Sequence, residues 1–307
     1  MSKELWVEKY RPKKVTEYVF RDNQQKKQVE TWIKDKSIPH LLLSGSAGIG
    51  KTTLARVLIN ELGIEDYDVL EINASRTNSV DDVRDKITNF VSMIPFGPFK
   101  IVLLDEADYL SPNAQAALRG VMEEFSNTSR FILTCNYPNR IIPAIHSRCQ
   151  GFHFEKIDQT EFTARIATIL IEENIDFDLD VLDSFIKIKY PDLRKCINMV
   201  QQSIVDGKLP SPEKSDAGES DWKVEMVRLF KAKQIKQVRK LLCGTVRPEE
   251  IEDIYKWMYQ NIELFGDDDD TRDSAVLAIK QGLVDHFTLG DPEIGLAATL
   301  IKLGRLQ

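Results

Sequence analysis

Eight residues, Gly45-Ser46-Ala47-Gly48-Ile49-Gly50-Lys51-Thr52, stand between the apolar run Leu41-Leu42-Leu43 and the helix-forming stretch Leu54-Ala55-Arg56-Val57-Leu58. A buried strand that runs into a glycine-rich turn and on into a helix restricts the chain to an α/β architecture built around a P-loop. Glycine at the first and last loop positions lets the backbone fold back and aim N–H groups at phosphate oxygens. The helix N-terminus adds a favourable field for negative charge. Lys51 then reaches the β- and γ-phosphates, and the Thr52 hydroxyl becomes a Mg²⁺ ligand. The predicted nucleotide-binding loop is Gly45, Ser46, Ala47, Gly48, Ile49, Gly50, Lys51, Thr52 and Thr53. A strand-to-helix turn that binds nothing has no need for the Gly-x4-Gly-Lys-Thr spacing.

Around the loop, short apolar runs alternate with amphipathic stretches. Strands are expected at 41–44, 69–72, 101–104, 131–134 and 151–154, the pattern of a parallel sheet flanked by helices. From Gln159 onward strands disappear, and helical patterns cover about 159–174, 178–189 and 192–205, a small helical domain. A Pro-, Ser-, Gly- and charge-rich stretch around 208–221 reads as a linker. Helical stripes then continue to the C-terminus. The expected domains are an α/β nucleotide-binding domain at 1–155, a helical lid at 156–207, the linker at 208–221 and an all-helical domain at 222–307.

Charge narrows the range of partners. Residues 1–150 hold 20 Lys and Arg against 19 Asp and Glu, whereas the remainder holds 21 against 29, so nearly all of the net −7 lies in the second half. Strong nucleic-acid binding by such a chain requires help from partner subunits or a ligand-driven conformation. The run Asp267-Asp268-Asp269-Asp270 reads as a solvated loop, with a metal site as the alternative. Four widely spaced cysteines form no Cys-x-x-Cys pair, and the N-terminus lacks the apolar core of a signal peptide, so an intracellular location is expected.

The catalytic residues are expected at the ends of successive strands. Ile101-Val102-Leu103-Leu104-Asp105-Glu106-Ala107-Asp108 is a buried strand ending in acids, where open α/β sheets place ligands. Asp105 is the natural Mg²⁺ partner of Thr52, and Glu106 is suited to polarising an attacking water. Asp108 is a cap or an electrostatic support. Asn136, after the strand Phe131-Ile132-Leu133-Thr134-Cys135, can hydrogen-bond both water and γ-phosphate, or else cap the turn before Tyr137-Pro138. Arg148 suits an arginine finger offered to a neighbouring subunit's nucleotide, although a lone surface arginine is otherwise bland. Arg194, at the start of a lid helix, can reach back to the nucleotide so that lid position follows phosphate occupancy.

Together these pieces resemble the clamp-loader branch of the AAA+ ATPases, namely replication factor C small subunits and the ATPase subunit of T4-like phage clamp loaders. The resemblance covers about residues 3–206. It rests on Trp6-Val7-Glu8-Lys9-Tyr10-Arg11-Pro12, Pro39-His40-Leu41-Leu42, Asn73-Ala74-Ser75, Asp105-Glu106-Ala107-Asp108, Gln115-Ala116-Ala117-Leu118-Arg119 and Ser147-Arg148-Cys149. It implies ATP and Mg²⁺ as cofactors, with Tyr10, Arg11 and Pro12 over the adenine and Arg148 acting in trans. It also implies a C-terminal collar that holds five subunits in a ring, with a sliding clamp and primer-template DNA as partners. The Tyr190-Pro191-Asp192-Leu193-Arg194-Lys195 run and the short, divergent C-terminal region look closer to the phage version, which places the protein in the cytoplasm of an infected bacterium.

Where cellular clamp loaders continue with Asp-x-Arg-Gly, this chain has Arg76-Thr77-Asn78-Ser79, which leaves the DNA-contacting residues open. Helices are expected to begin at Ser79 and just after Ser111, and their N-termini suit phosphates. Arg76, Thr77, Arg84 and Ser111 are the DNA-binding candidates, with a plain solvated surface as the alternative for each. The expected function is an ATP-driven clamp-loader subunit. The alternatives are another AAA+ DNA machine, such as a helicase loader or branch-migration motor, or a structural subunit that does not hydrolyse ATP.

Overall fold

The computed structural model describes residues 4–76, 80–154, 157–211, 218–246, 251–266, 268–286 and 288–306. The chain divides into two compact units, Met1–Ser211 and Pro212–Gln307.

The first unit is built on five strands, β1 (Leu41–Gly45), β2 (Val69–Asn73), β3 (Lys100–Asp105), β4 (Ser129–Cys135) and β5 (Gln150–Phe154). They pair in parallel in the order β2-β3-β4-β1-β5. Each lies where the apolar runs predict, with ends moved by one or two residues. Alternation along the strands explains why the runs are apolar throughout: Leu41, Leu43, Ile101, Leu103 and Ile132 enter one core, while Leu42, Val102, Leu104, Phe131 and Leu133 enter another on the opposite face.

Six helices belong to this α/β body: α1 (Trp6–Lys9), α2 (Asn23–Lys34), α3 (Lys51–Leu62), α4 (Val80–Ser92), α5 (Pro112–Glu124) and α6 (Pro143–His146). Three more follow, α7 (Gln159–Glu172), α8 (Leu179–Lys189) and α9 (Leu193–Ser203). The last three begin at aspartate caps, with Asp158, Asp178 and Asp192 accepting backbone N–H groups from the first turn. Their apolar faces, including Phe162, Ile166, Leu182, Phe185 and Ile197, join the same cluster as Leu41, Val57 and Leu58. That shared core holds α9 close to the loop after β1.

The second unit contains α10 (Gly218–Lys231), α11 (Ile235–Thr245), α12 (Ile251–Gln260), α13 (Asp269–His286) and α14 (Pro292–Gly304) around Phe230, Leu242, Tyr255, Met258 and Leu300. Of the described part of the aspartate run, Asp268 precedes α13 and the last two residues enter it. Asp268 Oδ1 accepts the Thr271 N–H at 2.7 Å, and Asp269 and Asp270 form the first turn of α13, where carboxylates complement the helix dipole. Asp267 lies outside the described residues. Among the described residues, no helix is long and apolar enough to cross a membrane.

Candidate active site

The strand order places the chemistry. With β4 between β1 and β3, the C-terminal ends of these three strands bring the glycine-rich loop, Asn136 and Asp105 side by side. Gly48 and Gly50 adopt φ values of +76° and +94°, conformations that a side chain would strain, and Gly50 is the residue from which α3 starts. Ile49 is buried and anchors the loop, while Ser46 and Ala47 are exposed at its tip.

Lys51 is 8% exposed. Its Nζ donates to Gly45 O at 2.8 Å, Ser46 O at 2.6 Å and Asn136 Oδ1 at 2.8 Å. Burial pulls its pKa down to about 8, against the pull of the nearby Asp105 and Asp108 carboxylates, and Arg194 adds a smaller depression. The lysine is thus held by weak neutral acceptors at the loop's mouth, and phosphate oxygens would be stronger partners.

Thr52 Oγ1 donates to Asp105 Oδ1 at 2.6 Å, and Thr134 Oγ1 donates to the same oxygen at 2.7 Å. One hydroxyl and one carboxylate are the hard oxygen donors that Mg²⁺ takes, with phosphate and water completing its shell, so the residues present fit that ion. Thr134 Oγ1 also accepts the Glu106 N–H at 3.0 Å. Glu106 sits at φ 58°, ψ 44°, a left-handed conformation uncommon outside glycine, which turns the chain sharply just after Asp105.

Asp108, placed by sequence as a cap or a support, holds Asn136 in position. Its Oδ2 accepts the backbone N–H groups of Asn136 at 3.2 Å and Tyr137 at 3.1 Å. The Asn136 side chain meanwhile accepts from Lys51, so it faces the P-loop rather than capping its own turn.

A cleft beside the loop is lined by Tyr10, Arg11 and Pro12 from the N-terminal segment, Gly48, Gly50 and Thr53 from the P-loop and its helix, and Arg194 from α9. Apolar walls come from Val7, Val19, Ile49, Ile157, Leu193 and Ile197. This is the mixed lining a base and ribose require. The N-terminal segment is tied down by Arg165, whose Nη2 donates to Tyr10 O at 2.6 Å. The Tyr10 hydroxyl donates to Glu173 Oε1 at 2.7 Å.

Other candidates lie apart from this cluster. Arg148 Nη1 donates to Ala144 O at 2.7 Å, and its Nη2 is ion-paired with Glu123 of α5; neither partner lines the cleft. Arg76 and Arg84 are exposed, and Arg84 Nη2 lies 3.1 Å from Asp85 Oδ1. Ser111 is exposed and caps α5, its Oγ accepting the Ala114 N–H at 3.2 Å. Thr77 and Ser79 lie outside the described residues.

Several contributors carried no local signal in the sequence. Tyr18 donates its hydroxyl to Gly50 O at 3.2 Å. Gln115, buried in α5, donates to Leu110 O and Arg140 O at 3.0 Å each and accepts the Ile142 N–H at 2.8 Å, which ties the segment after Asp108 to the segment before Arg148. For Gln115 only the family-like run Gln115-Ala116-Ala117-Leu118-Arg119 offered a hint.

A P-loop whose lysine meets an asparagine at the end of β4, and whose threonine meets an aspartate at the end of β3, is the arrangement of a P-loop nucleotide-binding site. Residues 41–156, the segment that carries β1 to β5, match the AAA family, the ATPase family associated with various cellular activities. Over a longer stretch the chain is similar to replication factor C small subunits. It is 42% identical to the one from Sulfurisphaera tokodaii over 211 residues, which is 67% of this chain and 64% of that protein. It is also 42% identical to the one from Archaeoglobus fulgidus over 210 residues, 67% of this chain and 66% of that protein. The matched stretch is thus just under two thirds of these relatives' own length. Among solved structures, the Thermotoga maritima RuvB Holliday junction branch migration motor shares the fold, with a TM-score of 0.58 and 17% identity over 72% of this chain and 79% of that chain.

Proposed function

We propose that this chain is the ATPase subunit of a sliding-clamp loader. The observation that carries the reading is the hydrogen-bonded set Lys51, Asn136, Thr52 and Asp105, complete at the mouth of the P-loop. Supporting it is the homology to replication factor C small subunits. Lys51 binds the β- and γ-phosphates. Thr52 and Asp105 hold Mg²⁺, which when bound neutralises charge on those phosphates. Glu106 orients and deprotonates the attacking water, and Asn136 senses the γ-phosphate. Tyr10, Arg11 and Pro12 cover the adenine, Arg194 reaches the phosphates from the lid, and Arg148 completes the site of a neighbouring subunit.

On this reading residues 1–155 are the nucleotide-binding domain, 156–207 the lid and 222–307 a collar, and five such positions make a ring with partner subunits. ATP binding opens a sliding clamp and grips primer-template DNA, and hydrolysis releases the loaded clamp. The Tyr190–Lys195 run supports a phage-type loader working in the cytoplasm of an infected bacterium. A branch-migration motor has only the fold likeness to RuvB in its favour, and 17% identity carries no function with it.

Binding to primed DNA tests the proposal. One acidic subunit offering Arg76, Arg84 and helix N-termini gains little from counterion release, but several aligned by ATP add their contacts along one duplex. Binding should need ATP or a non-hydrolysable analogue, weaken steeply with salt and ignore duplex sequence, and Arg84→Glu should weaken DNA-stimulated turnover. Tight binding without nucleotide, or a strong preference for one sequence, would overturn it.

A further inference from the structure

Asp192 stands at the start of α9, two residues before Arg194, and its carboxylate makes two contacts of different kinds. Oδ1 accepts the Lys195 N–H at 2.9 Å and closes the first turn of the helix. The same group rests on the P-loop: a Cβ at Gly48 would lie 1.9 Å from Asp192 Oδ1 and 2.7 Å from Oδ2. Gly48 is therefore glycine for two reasons, its positive φ and the carboxylate packed against it.

The first contact does not need a charge, since Asn and Ser cap helices about as well as Asp. The second makes the charge conspicuous. A carboxylate sits against a loop whose geometry serves phosphate, two residues before Arg194, which lines the cleft and whose charge acts on Lys51. We infer that Asp192 is a positioning residue that opposes polyphosphate at the P-loop, so that seating α9 on Gly48 and binding phosphate compete. The charge offsets part of the attraction from Lys51 and Arg194. It makes the height of α9, and with it the reach of Arg194, depend on the charge of the nucleotide. A triphosphate is disfavoured more than a diphosphate while α9 rests on the loop.

This rests on the reading of the P-loop as a nucleotide site, and the experiment separates the two. Binding of N-methylanthraniloyl-labelled ATP and ADP is measured on the full chain as wild type, D192N and D192S, at low and high salt. Both variants keep the cap, so their circular dichroism and Tm should match wild type. The expected result is about three- to tenfold tighter binding of labelled ATP in both variants, a smaller gain for labelled ADP, and gains that shrink as salt screens the charge. Affinities equal to or weaker than wild type would overturn the inference, as would a gain that is equal for both nucleotides and indifferent to salt. Failure of wild type and both variants to bind either nucleotide would remove the nucleotide reading itself, and this inference with it.

Discussion

Thr52 and Asp105, 53 residues apart in sequence, meet through a 2.6 Å hydrogen bond that joins the first turn of α3 to the end of β3. Because Asp105 Oδ1 also accepts from Thr134, one oxygen holds the P-loop helix, β3 and β4 in register. Asp105→Asn should lower Mg²⁺-dependent ATP turnover by about two orders of magnitude. Asp105→Ala should also lower stability by roughly 1–3 kcal/mol, since both hydroxyls lose their shared acceptor. Steady-state ATPase and denaturant unfolding measure the two effects, and wild-type turnover in Asp105→Asn would dismiss the metal role.

Glu106 follows Asp105 through a left-handed turn pinned to Thr134 by its own N–H. If it is the group that activates water, it contributes to hydrolysis and not to nucleotide affinity. Glu106→Gln should keep ATP binding within about threefold while lowering turnover by about a hundredfold or more. Single-turnover hydrolysis with binding measured in parallel separates the two. Equal losses in both would point to a structural role instead.

Arg148 is paired with Glu123 and the Ala144 carbonyl within its own subunit, outside the cleft. If it serves a neighbour's nucleotide, mixing Arg148→Ala with Glu106→Gln subunits should restore ATPase activity above the sum of the separate mutants. Some interfaces in the mixture then join an intact base to an intact arginine. A mixture no better than that sum would place the arginine in cis or outside the mechanism.

Lys51 is depressed to about 8 by burial, so it loses its charge as pH rises through that value, well below an ordinary lysine. Bound phosphates favour the charged form and raise its pKa. Nucleotide binding should therefore take up a proton between about pH 8 and 9, and affinity should fall as pH rises across that range. Calorimetric titrations in two buffers of different ionisation enthalpy read the uptake directly. Pure release of protons on binding would contradict the assignment.

Elements whose signal is local could be read from the chain itself. The five apolar runs gave all five strands, because a sheet covered on both faces needs continuous hydrophobicity, and Gly-x4-Gly-Lys-Thr located the loop because its backbone geometry has few sequence solutions. What escaped is tertiary. Nothing local to Tyr18, Asp192 or Glu123 announces Gly50, Gly48 or Arg148 as a partner; these contacts exist only once β-order and the shared core bring distant segments together. The aspartate run is loop only in part. Four adjacent carboxylates read as a solvated loop, whereas Asp268 caps α13 and the next two enter its first turn, where the helix dipole offsets their repulsion.

Steady-state ATPase of the assembled complex, with a sliding clamp and primed DNA added separately and together, tests the clamp-loader assignment most directly. The assignment predicts modest stimulation by either alone and a clearly greater than additive rise with both, abolished by Lys51→Ala. A rate indifferent to clamp and primed DNA, or one that responds to DNA alone and is coupled to strand movement, would contradict it.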